Sequence, residues 1–258
     1  NRLHLAYSFE LLGPVFSASH IRKTLEHFFK ISPQGIPCWS FSNHDVIRHV
    51  SRWAAHGSSP EALAKQTAAL LLSLEGSICL FQGEELGQLE TEMEFSELTD
   101  PFGIRFWPEN KGRDGCRTPM SWDSNLDNAG FSEADPWLPI KKPQLERAAV
   151  QQKNKDSVLS FYKEMLKFRK NSSALSEGKT VFYDSDEPVL SFSRKSDGQN
   201  IVCVFNLSKE EVSVQIVGLT DINNHPFLDS KVDGESLSLG PNGFCFFVGG
   251  LDKDIVIQ

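Results

Sequence analysis

Residues 37–45 read PCWSFSNHD: a strand-like run, Pro37 to Ser42, that opens directly into three hydrogen-bonding side chains, Asn43, His44 and Asp45. In parallel α/β sheets the loops at the C-terminal ends of the strands gather on one face and build the site there. Taken alone, the triplet also fits an Asx turn capping the next helix. The flanks place the run in a parallel sheet. Upstream, LHLAYSF (Leu3 to Phe9) is a strand candidate, followed by a Gly13-Pro14 turn and a helix near Ser19 to Lys30. In that helix Ile21, Leu25, Phe28 and Phe29 recur at helical spacing. Downstream, a helix near Pro60 to Leu74 carries Pro60 in its first turn and turns Leu63, Thr67, Leu70, Leu71 and Leu74 inward. SICLF (Ser77 to Phe81) is a third strand, continuously apolar as a strand covered on both faces is.

Residues 83 to about 143 then show no clear periodicity. Structureless stretches of that length inside a domain are functional or disordered. Phe95, Phe102, Phe106, Trp107, Trp122, Phe131 and Trp137 argue for a folded loop, because a disordered linker carries few aromatics. A helix near Ser157 to Lys170 follows, with Val158, Phe161, Tyr162, Met165, Leu166 and Phe168 on its apolar side. From Gly178 the period becomes two. Val189 to Ser193, Ile201 to Phe205, Val212 to Val217 and Phe244 to Val248 are separated by Asp197-Gly198, Asp233-Gly234 and Pro241-Asn242-Gly243. That is an antiparallel β domain, expected as a sandwich. Removing about 80 residues for it leaves about 178, short of the roughly 250 that a closed eight-fold α/β barrel needs. The sequence therefore divides into 1–175, a partial barrel with the loop 83–143, and 176–258, the β domain.

Composition narrows the function. The 258 residues hold 26 Lys+Arg against 34 Asp+Glu, a net charge of −8. That balance argues against nucleic acid or an anionic membrane surface as partner. The richest apolar stretch, Ala68 to Phe81, is interrupted by Glu75 and is too short to span a bilayer. Five cysteines without a CxxC pair suit free thiols in the cytoplasm, with a Cys203–Cys245 bridge as the alternative. The first residue is Asn and no basic leader segment follows it, so the expectation is a trimmed start or a piece of a longer protein.

Three motifs occur in order: Phe41 to Arg48 (FSNHDVIR), Phe81 to Gly87 (FQGEELG) and Gly112 to Trp122 (GRDGCRTPMSW). At these residues the sequence resembles the α-glucosidase and oligo-1,6-glucosidase branch of the α-amylase family (glycoside hydrolase family 13). LHLAYSFELL resembles that family's sixth barrel strand, FSNHD its seventh and SICLFQGEELG its eighth. The fold so implied is the C-terminal part of a (β/α)8 TIM barrel, about strands 6–8, followed by the β domain. The activity implied is retaining hydrolysis of α-glucosidic bonds in small oligosaccharides, which uses a carboxylate nucleophile and a carboxylic acid/base.

Carried over by that resemblance, Asp45 is the third carboxylate, which holds sugar hydroxyls as the oxocarbenium ion forms. His44 donates to the same hydroxyls, Arg117 lies at the floor of the glucose pocket, and Arg113 is a further substrate-binding candidate. Asn43 shapes the turn. Glu84 and Glu85 are adjacent, so side chains leaving a strand there point apart and make a poor acid/nucleophile pair. The family's nucleophile and acid/base segments have no counterpart in this sequence, so the missing N-terminal half of the barrel is the expected partner. No metal or other cofactor is expected: His44 and His49 lack zinc-helix spacing. The alternatives are glucosyl transfer or isomerisation, of sucrose isomerase or trehalose synthase type. A third is a non-catalytic transporter subunit or carbohydrate-binding module.

Overall fold

The computed structural model describes residues 4–217, 228–249 and 256–257, so Leu3 of the expected first strand lies outside the described residues. Three short strands, β1 (Leu5–Tyr7), β2 (Ile36–Trp39) and β3 (Ser77–Ile78), lie parallel and side by side in chain order. Tyr7 sits opposite Cys38, and Cys38 opposite Ser77. The ladders end at Trp39 and Ile78, earlier than the apolar runs do, so Phe41 and Phe81 already belong to the loops that carry the motifs.

Helix α1 (Ala18–Ile31) connects β1 to β2, while α2 (His49–Arg52) and α3 (Pro60–Ser73) connect β2 to β3. Their starts follow from sequence: the Ser17 hydroxyl accepts from the His20 N–H, and Ser59 accepts from Ala62 with Pro60 in the first turn. In α3 every residue expected inside is buried, and so are Ala64, Gln66, Ala68, Ala69, Leu72 and Ser73. A helix buried nearly all round lies between layers. Here α3 packs on α6 (Val158–Asn171) and on the C-terminal sheet. Two expectations change. Ser77 to Phe81 is half-exposed rather than doubly covered, and β3 is an edge strand to which no further strand bonds among the described residues. Leu166 of α6 is 44% exposed, while its neighbour Met165 is buried in the main core.

The stretch after β3 is ordered, as expected, but for a different reason. It holds α4 (Pro101–Phe106), α5 (Lys142–Leu145) and several single 3-10 turns. Its own core is small: Met93, Leu98 and Leu138 with Trp107 against them. The other six aromatics that argued for folding are each more than 40% exposed. Hydrogen bonds, chiefly to Asp100 and Asp114, hold the loop instead.

Beyond α7 (Ser173–Glu177), seven antiparallel strands follow among the described residues: β4 (Lys179–Phe182), β5 (Val189–Ser196), β6 (Gln199–Asn206), β7 (Val212–Val217), β8 (Leu228–Asp233), β9 (Ser236–Gly249) and β10 (Val256–Ile257). They form one continuous sheet, not the two separate sheets of a sandwich. The long β9 pairs with β7 through Ser236–Leu239 and with β6 through Phe244–Gly249. Between the two segments lies Gly240-Pro241-Asn242-Gly243, where Asn242 takes φ 56° and the sheet curls. Phe192, Phe205, Phe244 and Phe246 pack with α3 and α6 in the main core; Val202, Val204, Leu237, Leu239 and Phe247 fill the opposite face. Cys245 lies opposite Val204, so Cys203 and Cys245 occupy opposite faces and cannot bridge. All five cysteines are free thiols.

Candidate active site

The turn after β2 is made by its own first residue. Asn43 Oδ1 accepts the Asp45 N–H at 2.9 Å, an Asx turn, and Asn43 Nδ2 donates to the Tyr7 hydroxyl at 3.3 Å at the end of β1. That turn leaves the side chains of His44 and Asp45 68% and 46% exposed. Asp45 Oδ1 accepts from Arg117 Nη2 at 2.9 Å and from Arg113 Nη1 at 3.2 Å, and His44 Nε2 lies 3.4 Å from Oδ2. Arg117 also donates from Nε to the His44 carbonyl at 2.7 Å. Three residues, two of them about 70 positions along the chain, thus converge on the Asp45 carboxylate. Partial desolvation opposes the charge on Asp45, but His44 and the bonds from Arg117 and Arg113 still leave its carboxyl below the usual value.

Arg117 is therefore no solvated loop charge; it clamps the turn by backbone and side chain together. Arg113 is held more firmly still. Its Nε and Nη2 make a bidentate pair with Asp100 at 2.8 and 3.1 Å, and its backbone N–H adds a third bond to Asp100 at 2.9 Å. The Asp100 side chain is only 1% exposed. Arg113, followed by the Phe102 and Arg113 N–H groups, holds its carboxyl far below the carboxylate range. Sequence reasoning missed Asp100, although Asp100-Pro101 is a legible helix start: Asp100 Oδ1 caps α4 by accepting the Phe102 N–H. It missed Asp114 as well. Buried inside the GRDG motif, Asp114 accepts the backbone N–H groups of Thr99 and Asp100 at 2.6 and 2.8 Å.

A third missed residue is Arg48, last of the FSNHDVIR motif and 1% exposed. It donates to the carbonyls of Gln82 and Cys116 at 2.8 and 3.0 Å, and its own N–H donates to Glu90 at 2.9 Å. One guanidinium thus joins the loops after β2 and β3 to the GRDG segment. Gly83 takes φ 91° beside it, and a Cβ there would stand 2.8 Å from Arg48 Nη1. Burial, only partly offset by the Arg48 N–H, raises the Glu90 carboxyl to about 7.

The structure places Glu84 and Glu85 differently from the strand end that sequence suggested. They lie on a 3-10 turn, Glu84–Leu86, rather than leaving a strand. Glu84 is buried 3.6 Å from His49 Nδ1, while Glu85 accepts the Gly83 N–H at 2.8 Å. His49 itself is buried between Ser42 and Thr67. Among the described residues, no group of three His, Cys, Asp or Glu is placed to hold a metal ion.

Asp45 opens onto a cleft of about 620 Å³ walled by Leu12, Ile47, Arg52, Phe102 and Arg113. Asp45 is the one carboxylate lining it among the described residues. Asp45 and Arg113 are paired with each other, Arg52 is spent on the carbonyls of Gly13, Ile47 and Phe41, and Phe102 adds an exposed aromatic wall, an arrangement that suits a neutral polyhydroxyl ligand. No described helix is long and apolar enough to cross a membrane.

Residues 5–178 match the family model for the alpha amylase catalytic domain. The chain is 43% identical over 239 residues to a probable alpha-glucosidase of Rhizobium meliloti (strain 1021), covering 91% of this chain and 43% of that protein. It is 33% identical over 215 residues to probable oligo-1,6-glucosidase 2 of Bacillus subtilis (strain 168), covering 75% of this chain and 37% of that one. Among solved structures, the alpha-glucosyl transfer enzyme XgtA superposes with a TM-score of 0.86 at 44% identity, covering 96% of this chain and 47% of that chain. The trehalulose synthase MutB of Pseudomonas mesoacidophila MX-45 gives 0.81 at 25% identity, covering 96% and 51%. The chain thus spans about half the length of the proteins it matches or less.

Proposed function

The chain belongs to the alpha-amylase catalytic-domain family, and from that premise we propose that it is the rear of a barrel whose complete protein cleaves α-glucosidic bonds. Residues 1–175 supply about strands 6–8 with their site loops, and 176–258 the appended β domain. The observation that carries the reading is the held carboxylate: Asp45 stands at the open end of β2, fixed through Oδ1 by two guanidinium groups. That leaves Oδ2, beside His44, for a sugar hydroxyl. A pre-oriented anion next to a developing oxocarbenium charge stabilises the transition state more than the ground state. His44 donates to a neighbouring hydroxyl, Arg117 holds the turn that presents both, and Phe102 and Ile47 line the side from which substrate enters. The nucleophile and the acid/base come from the front of the barrel. No cofactor takes part, and the substrate is a small α-glucoside.

In the complete protein, Asp45→Asn lowers kcat on the order of 10²-fold or more while the unfolding midpoint stays put, because Asn is isosteric. Near-normal turnover by that variant reduces Asp45 to a turn-former and favours a non-catalytic carbohydrate-binding role. Transfer of the glucosyl group, rather than its release to water, is the second reading. It is favoured by the likeness to an alpha-glucosyl transfer enzyme at 44% identity. Product analysis with an added acceptor sugar separates the two: free glucose alone marks hydrolysis, and a new disaccharide marks transfer.

A further inference from the structure

We infer that Asp100 is a positioning residue for the active site: it locks Arg113 in the one orientation from which that guanidinium reaches Asp45. The inference rests on the proposed role of Asp45 and adds to it. Its basis is a chain of contacts that nothing in the sequence motifs links. Asp100 lies outside GRDGCRTPM, at the head of α4, with its carboxylate 1% exposed. Every bond it accepts comes from two places. The Phe102 N–H uses Oδ1 at 3.1 Å, and Arg113 uses both oxygens through Nη2, Nε and its backbone N–H.

A guanidinium has three nitrogens, and this geometry assigns each of them. Nε and Nη2 are consumed by the buried carboxylate, so the planar fork fixes where Nη1 points, and it points to Asp45 Oδ1 at 3.2 Å. Arginine side chains are otherwise long and cost rotamer entropy to hold in one place. Asp100 removes that cost in advance. It is itself anchored, because its backbone N–H donates to buried Asp114 at 2.8 Å. Gly112, just before Arg113, packs against Gly103 of α4 with no room for a side chain: a Cβ on Gly112 would meet the Gly103 N and Cα at 2.8 Å. Helix α4 and the GRDG segment are therefore one rigid piece, and Arg113 is its projecting tip.

The consequence for chemistry is division of labour on one carboxylate. Arg113 and Arg117 both occupy Oδ1, keeping Asp45 ionised and unable to rotate, so that Oδ2 alone is offered to substrate. With Arg113 released, Asp45 retains Arg117 and His44 but loses one of its two fixed cationic contacts. Its carboxyl then shifts toward the ordinary value, and its orientation loosens.

The test uses the complete protein, with kcat, KM and the pH profile of kcat/KM read for Asp100→Asn, Arg113→Lys and the double variant, and with Asp45→Asn as control. Asp100→Asn keeps the Phe102 cap through Oδ1 and the side-chain shape, but sets an amide NH2 against the Arg113 Nε and backbone N–H and so breaks the bidentate pair. The expected result is a fall of roughly tenfold in kcat, a KM change within about threefold, and an acid limb of the profile displaced upward. The double variant is expected to be no worse than Arg113→Lys alone, because both changes break the same contact. Wild-type kcat and an unmoved acid limb in Asp100→Asn overturn the inference. So do losses that multiply in the double variant, since Asp100 then acts by another route. A reduced unfolding midpoint with an unmoved acid limb also overturns it, leaving Asp100 purely a cap. Near-normal turnover in Asp45→Asn overturns the underlying reading of Asp45 instead, and the positioning role falls with it.

Discussion

Two regions of this molecule bury polar groups, and they do so with opposite chemistry. At the strand ends, Asp45, Arg113, Arg117 and Asp100 form a charged cluster that is half open to solvent. At the seam between α3 and the curl of β9, neutral amides do the work. Asn242 Oδ1 accepts from Ser58 N–H at 2.6 Å, and its Nδ2 donates to the His56 carbonyl and to Gln66. Asn206 Nδ2 reaches the carbonyls of Glu210, Leu239 and Gly240 across the same bend. Charge in the open region is costly to desolvate but acts on a ligand; amides in the closed region satisfy backbone groups and act on nothing further. The first region should control activity with little effect on stability, and the second the reverse.

The sharpest way to break that contrast is to ask whether the charged cluster suffices by itself. Retaining chemistry needs two carboxyl groups about 5 Å apart, one of them able to carry a proton. Asp45 is tied through Arg113 to Asp100, but Asp100 is buried, fully bonded and held far below the range in which a carboxyl donates a proton. The purified 258-residue chain is therefore expected to release no p-nitrophenol from its α-glucoside. Steady turnover that vanishes in Asp45→Asn would reveal a complete site within it.

Next in size is the seam. Asn242→Ala removes three side-chain hydrogen bonds at a residue with φ 56°, the one to buried Gln66 among them. A loss of about 2–4 kcal/mol in unfolding free energy is expected, with kcat of the complete protein unchanged. Denaturant midpoints that match wild type would mean the aromatic packing of Phe205 and Phe244 holds the curl alone.

The smallest effect lies where the two regimes meet, at Glu90 beneath Arg48. Its carboxyl is raised to about 7 by burial, so below about pH 4.5 both folded and unfolded chains hold the proton. As pH rises from there to 7 the unfolded chain ionises first, and stability falls by on the order of 1–3 kcal/mol. Glu90→Gln should flatten that slope. Equal slopes for wild type and variant between pH 5 and 8 would show that Glu90 titrates normally in the fold.

Much of this was legible in sequence, and for physical reasons that can be named. The order and direction of β1, β2 and β3 follow from short apolar runs alternating with helical periodicity, because parallel strands need a covering helix between them. The antiparallel sheet showed itself by the change to period two, and Asp197-Gly198 and Asp233-Gly234 marked hairpins whose glycines indeed take φ 89° and 61°. His44, Asp45, Arg113 and Arg117 were each singled out by motif, and all four share one cluster. Leu166 and the half-exposed third strand went the other way. Periodicity says that a side chain is apolar, not that another layer arrives to cover it.

What sequence determined by itself, then, is everything set by neighbours within a turn or a strand: where helices begin, which residues end β2, and the turn Asn43 makes for Asp45. What only tertiary structure decided are contacts between residues far apart in the chain. Arg113 is 68 positions from Asp45 and 13 from Asp100, and the choice of its partners depends on how α4 is set against the loop after β2. The pairing of β9 with β6 on one segment and β7 on the other is of the same kind. Local propensity is indifferent to such choices, because each strand or guanidinium can satisfy itself equally well elsewhere until packing of the whole chain removes the alternatives.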